Sequence, residues 1–558
     1  YGSQDFTAGV NGLYGNTQIV MKTDNQVKDS LSAANLKLSG SGSDVVADVT
    51  AGKTLVLTNA ATKHGNNMFI QDASGAVAGV QLGAGSALAL NGDGAVGSIK
   101  AAADKNGSVT IGGDVNGNGT VTVKGAIGDS TNAIKSLTVN KGSHLVVEGI
   151  KGATADKDVK NVYTDALTLN AGSSLKAVGQ DVTVTGAGLA KLDGNLTAGK
   201  LVFSTANASA SIANGAIVDV GEFSVSGTGK VSIGTPGVDE SNKGTSGTLD
   251  ADKLTLGGAT LFVDPAIGNQ AAIAAVEKLS DKDTNGDAQV LDGKIIVGMN
   301  SAVGVGFAGD DKRGQVEQYL IDAELMDPTS KSFKADVGSA KSIKSALILK
   351  TPIKVAADKG VLVSSKANSS STVTDNKFEL GTDAGLIIND SVYGLDGNGA
   401  KTGAAVDFES AATVSVDTSS KIILTGDFDG ADDGIQIFKN ATGANNVDVI
   451  SANGILKGKL DANGKIVDLQ ADDTKLKGAF ATISEPVREL LKERIVNSRN
   501  TFDKSQLGAQ FLGKVANDIL DTTGIAADAA AHAATYAGAQ QAAVVSVTTM
   551  ADAMFGRV

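Results

Sequence analysis

The chain lacks cysteine and tryptophan altogether, and it has little proline, histidine or aromatic side chain. Among 558 residues there are 5 Pro, 3 His, 6 Tyr and 15 Phe, with aromatics at 4%. No cysteine excludes a disulfide framework, a thiolate zinc site, an iron–sulfur cluster and a cysteine nucleophile. Few aromatics argue against a deep cofactor pocket. No run of about 18 apolar residues exists to cross a bilayer as a helix. Cationic excess is lacking too, since the net charge is −13. An acidic surface repels phosphate backbones, so no nucleic-acid partner is expected.

What is abundant is small. Glycine numbers 70 of 558, roughly one residue in eight against an ordinary share of about 7%. Hydrophobic residues make up 42%, which is too many for a disordered chain. The length suggests several domains or one repetitive body. The chain begins at Tyr1 without a basic and apolar leader, so it reads as processed.

One template recurs. Two apolar residues alternate with polar ones, a short Gly/Asn/Ser turn follows, and two more alternating apolar residues close the unit. Val80 and Leu82, the turn 83–86, then Leu88 and Leu90 form one copy. Leu137 and Val139, Asn140 to Ser143, then Leu145 and Val147 form another. Leu167 and Leu169 with Leu175 and Ala177, and Val414 and Val416 with Ile422 and Leu424, repeat the pattern. Period-2 alternation marks strands with one buried face. Asn, Gly, Asp and Ser in the turns tolerate left-handed φ or bond their own backbone. Small aliphatics suit a narrow interior in which each coil stacks on the next. The expected fold is therefore all-β, a right-handed parallel β-helix (solenoid) with a C-terminal α-helical segment; antiparallel sandwiches are the bland competitor. With about 22 residues per coil and about 4.8 Å per strand spacing, about 450 residues would make a rod of about 100 Å.

Two regions break the template. Residues 269–280 carry Ile273, Val276 and Leu279 at helical spacing and read as a short helix. Around 308–335 the chain is charged and reads as an excursion with a helical turn. From about Ile483 helix formers take over, with Pro486 near a first turn and an Ala-rich stretch from Ala526 to Phe555.

These features together resemble the passenger of a classical (type V) Gram-negative autotransporter. The most specific piece is the Ala-rich run from Ala529 to Gln541, through Met554, Phe555, Gly556 and Arg557. It is similar to the segment that leads into the outer-membrane barrel of such proteins. The resemblance implies a β-helix passenger over 1–370 with a helix or loop excursion near 269–335. It implies autochaperone-like terminal coils over 371–480 and an α-helical linker over 481–558 toward a barrel beyond this chain. It also implies the bacterial cell surface or outer membrane, or secretion after cleavage. Partners would be a host-surface protein or glycan, or like passengers on neighbouring cells.

Catalytic constellations are weak. A Ser–His–Asp triad needs a base oriented by a carboxylate, and the three histidines stand apart at 64, 144 and 532. Ser39, Gly40, Ser41, Gly42, Ser43 and Asp44 lack the acidic residue of a Gly-Asp-Ser-Gly protease setting. Asp427, Asp429, Asp432 and Asp433 are the densest carboxylates and read chiefly as a solvated loop. The ion motif with the best spacing is Asp281, Asp283, Asn285, Asp287 and Asp292, with Gly286 at the sixth place. Oxygen donors at positions 1, 3, 5, 7 and 12 match a calcium loop, although Asp at 12 is shorter than the usual Glu. Calcium is thus the one candidate cofactor. The expected function is non-enzymatic: adhesion, self-association or biofilm formation. A carbohydrate-active enzyme or an S-layer-like lattice protein on the same fold is the alternative.

Overall fold

The computed structural model describes residues 4–6, 17–59, 67–113, 118–148, 161–239, 241–264, 267, 269–282, 288–334, 342–426, 428, 432–452 and 456–472. The described residues are mostly β, with 53% in strands and 4% helical, in long sheets rich in parallel pairing. Such sheets are compatible with an all-β solenoid. The chain divides into two units: 1–426 with 434–452 and 459–467, and 427–433 with 453–458 and 468–558. The expected helices beyond residue 481 lie outside the described residues.

The template folds as its residues dictate. Strand Ile134–Val139 buries Leu137 and Val139 and turns Thr138 outward. Gly142 in the next turn has φ +73°, which a side chain would strain. Strand His144–Val147 then buries Leu145 and Val147. Most strands pair in parallel with a strand further along the chain and not with the next one in sequence. Ile134–Val139 pairs with Asn106–Ile111 and with Val162–Leu169. Strand His144–Val147 pairs with Thr120–Val123 and with Ser174–Val184.

This pairing stacks like on like. One inner column runs in unbroken register from Leu57 through Leu90, Ile111, Val139, Leu169 and Leu192. It continues through Ile212, Ile233, Val263, Val297 and Val363 to Leu380. All of these side chains are fully buried. Aliphatics of similar width fit each spacing of about 4.8 Å without voids. Phenylalanines enter in neighbouring pairs, as with Phe203 and Phe223 at 5.6 Å between ring centroids.

Residues 269–280 are not helical. Ala272–Lys278 is a strand, parallel to Thr248–Thr255 on one side and Ser301–Val305 on the other. Residues 272–276 are buried on both faces. A short run that is apolar throughout fits a strand covered on both sides as well as it fits a helix, and here the available neighbours decide. The described helix lies further on: α1, Lys312–Asp322, has 11 residues. Its N-cap Asp311 accepts the Gly314 N–H at 2.8 Å.

In the second unit, the Asp433 carboxylate accepts the Leu469 N–H at 2.7 Å. Lys457 and Asp472 lie 3.7 Å apart there.

Candidate functional site: the outer wall

With the inner faces filled, the accessible chemistry is the outward face of each ladder. One outward row runs Thr110, Thr138, Thr168, Lys191, Ser211, Ser232 in continuous parallel register. Short hydroxyl side chains keep this stretch low and polar. Beside it, Asn170 Nδ2 donates to Asn140 Oδ1 at 3.0 Å, and Asn140 Nδ2 donates to the Gly112 carbonyl at 2.7 Å. Side chains thus extend the ladder into the turns.

The same row then changes character. Phe262, Ile296 and Leu362 follow Ser232 in register. Phe262 and Ile296 pack under Ala367 and Val373 of a loop that the chain itself lays across them. Two lysines pin that loop. Lys230 Nζ sits 4.4 Å from the Phe262 ring centroid and donates to the Ser369 carbonyl at 3.1 Å. Lys294 Nζ reaches the Val373 carbonyl at 3.1 Å and Asp375 at 2.5 Å. Asp375 titrates below its usual range because of its hydrogen bond and charge pairing with Lys294.

A second outward row is apolar over Ala275, Gly304, Ile348, Ile387 and Ile423. Helix α1 and the segment after it cover much of it, with Phe307, Val316, Leu320, Leu325 and Met326 in one cluster with the sheet residues. A Cβ at Gly304 would lie 2.5 Å from Val316 Cγ2, so glycine is what lets the helix sit this close. The N-terminus of α1 is held by charge. Asp250, 4% exposed, accepts the Lys312 N–H at 3.0 Å, the Arg313 N–H at 3.2 Å and Lys312 Nζ at 3.2 Å. Lys312 Nζ also meets Asp252 at 2.8 Å. Burial alone would loosen the Lys312 proton. Its bonds to Asp252 and Asp250 outweigh that, so its pKa is raised. Asp219, next to Asp250 in register, is pushed up by burial and then by the Asp250 charge. At the far end of the helix, the Tyr319 hydroxyl bonds the Thr425 hydroxyl.

The five calcium-motif residues are not seen together. Asp281 and Lys282 form a short strand antiparallel to Gln289 and Val290. Asp283, Asn285 and Asp287 lie outside the described residues. The Asp292 carboxylate accepts the Leu256 and Gly257 N–H groups at 2.9 and 3.0 Å, which ties one turn to the next. The segment before the motif, expected as a helix over 269–280, is the strand Ala272–Lys278. Among the described residues no group of three or more His, Asp or Glu is placed to hold a metal ion.

The other expected constellations resolve into turns. Gly42 donates to the Asp72 carboxylate at 3.0 Å, and Ser39 Oγ donates to the Lys22 carbonyl at 2.8 Å. His64 and His532 lie outside the described residues. His144 Nδ1 meets Ser174 Oγ at 2.7 Å on the exposed surface. A triad would use Nδ1 for an orienting carboxylate, so this contact is a rung between neighbouring strands. Of the acidic group at 427–433, Asp427 and Asp429 lie outside the described residues, and Asp433 caps Leu469.

Sequence reasoning missed the two covered outward patches. Their signal was present: Ala346, Leu347, Ile348 and Leu349 are consecutive apolar residues, as are Leu386, Ile387 and Ile388. Alternation fails where both faces are covered. No family model, curated protein or solved structure matches the chain.

Proposed function

We propose that this chain is the passenger of an autotransporter of the type V kind, a right-handed parallel β-helix that acts by adhesion or self-association and not by catalysis. In this reading it stands on the bacterial cell surface or is released from it. Its partners are a host-surface protein or glycan, or like chains on neighbouring cells. The observation that supports the reading is the outward row from Thr110 to Ser232, which keeps polar groups in register across six consecutive coils. Repetition of that kind favours many weak contacts added along a surface, with affinity arising from their number. The two apolar stretches of outer wall support it as well. One is covered by helix α1 and the segment after it and the other by a loop, which leaves polar wall as the working face.

The test is clustering of beads that display the full chain at high density, scored by microscopy and turbidity. Clustering, or retention on host-cell glycans or proteins, is the expected result. Dispersed beads that bind no host surface would overturn the proposal, and turnover of a glycan panel would replace it with the enzymatic alternative.

A further inference from the structure

A third outward row differs from both already described, because it carries alternating charge. Asp181, Lys200, Glu222 and Lys253 follow one another in parallel register on four neighbouring strands, and Lys278 continues the row on the next. Lys200 is exposed, and Asp181, Glu222 and Lys253 are half-buried. Among the described residues only the central two of these four form an ion pair, Lys200 Nζ to Glu222 at 3.0 Å. Asp181 acts on Lys200 through its charge alone, and Lys253 has no ion pair among the described residues. The next row on this face has Val202 and Ser224 at its centre, so short side chains flank the charges.

The order of signs over these four is minus, plus, minus, plus. Read backwards, the four from Asp181 to Lys253 are plus, minus, plus, minus, so this stretch is the complement of its own reversal, while Lys278 beyond it pairs with Glu277 at 3.3 Å. We propose that this row is a contact between two copies of the chain, packed face to face and running in opposite directions. This rests on the self-association reading above. A two-fold axis parallel to the strands and midway between Lys200 and Glu222 generates the contact. It sets Asp181 against Lys253 of the second copy, and Lys200 against Glu222 of the second copy. Copies running in the same direction would set each charge against its like, or, shifted by one spacing, Lys253 against Lys278 of the second copy, so only the antiparallel arrangement matches all four charges.

The four charges span three strand spacings, about 14 Å. That is far below the roughly 800 Å² per partner of a stable interface. A single contact is therefore weak, and it acts where many copies share a surface. It weakens with salt, because the charges keep contact with solvent.

The experiment displays the full chain on beads as wild type, Lys200→Glu, Glu222→Lys and the double variant Lys200→Glu/Glu222→Lys. Each single variant places like charges at the two central contacts, so clustering falls about tenfold or more. Beads of the two single variants mixed together have complementary rows at every position and co-cluster. The double variant restores a row that complements its own reversal, and it clusters like wild type. Recovery in the mixture and in the double variant cannot come from misfolding of the singles. Single variants that cluster like wild type would overturn this contact while leaving self-association standing. Singles that lose clustering without recovery in the mixture would also overturn it. Wild-type beads that never cluster would overturn both readings.

Discussion

Asp264 is the residue whose position costs the most. It is 5% exposed, and its Oδ1 is fully buried without a hydrogen-bond partner. Burial pushes its pKa from 3.8 up to about 7, with the Lys230 charge only partly opposing. Between those two values the folded chain holds a proton that the unfolded chain has released. Stability from this group is therefore complete below about pH 4 and is lost as pH rises through about 7. Asp264→Asn removes the charge and with it the slope. The variant should be more stable than wild type by on the order of 2–4 kcal/mol at about pH 8.5 and nearly equal at about pH 4.5. Thermal melts at the two pH values check this, and an equal difference at both would contradict it. Asp72 carries the opposite sign. The Ser74 hydroxyl and then the Gly42 N–H hold it down at about 2. Its contribution is present above about pH 4 and is lost as pH falls toward 2. Substituting Asp72 by Asn should therefore matter at neutral pH and vanish in strong acid, as acid titration of the two proteins would reveal.

At the scale of elements, the docked helix is the informative case. Lys312 and Asp250 are both buried, with 4% and 6% of their side chains exposed. Removing one partner strands the other charge, a change worth about 3–5 kcal/mol. Lys312→Met should loosen α1 first, because the inner column does not depend on it. Hydrogen exchange should quicken in 312–322 and in the covered strand Ser345–Leu349, with protection at Ile134–Val139 unchanged. Adding Asp250→Asn to that variant should recover part of the loss. Uniform loss of protection along the chain would show that the helix is integral to the fold and not an addition to it.

This helix also marks how far the sequence could be read. Strands with one covered face were legible, since Leu137 to Val147 and Leu167 to Ala177 alternate cleanly. The strand Ala272–Lys278 was not, because helix α1, much later in the chain, covers its outward side and erases the alternation. Asp250 and Lys312 stand 62 residues apart, so no local spacing announces their pair. The charged row is hidden for the same reason. Its members lie 19 to 31 positions apart in the numbering, and only the register of the strands brings them into line. The calcium motif is local spacing alone: Asp283, Asn285 and Asp287 lie outside the described residues, and Asp292 bonds the Leu256 and Gly257 N–H groups.

On the scale of the whole molecule, the proposed solenoid makes stability a sum over stacked neighbours. Leu169 lies between Val139 and Leu192 in the inner column. Leu169→Ala should cost about 2–5 kcal/mol and loosen both adjacent coils. Thr168→Ala, one residue away and outward, should stay within about 0.5 kcal/mol. Urea unfolding followed by hydrogen exchange distinguishes the two, and equal losses would contradict an inner column that is aliphatic and load-sharing. The wall and its proposed stickiness both rest on that column being one continuous stack. Spin labels at Thr110 and Ser232, five spacings apart along one outward row, measure this directly. Continuous stacking predicts a narrow distance distribution centred near about 24 Å, allowing for the label arms. A distance several strand spacings longer or shorter would mean that the rows belong to separate sheets, and it would contradict the account.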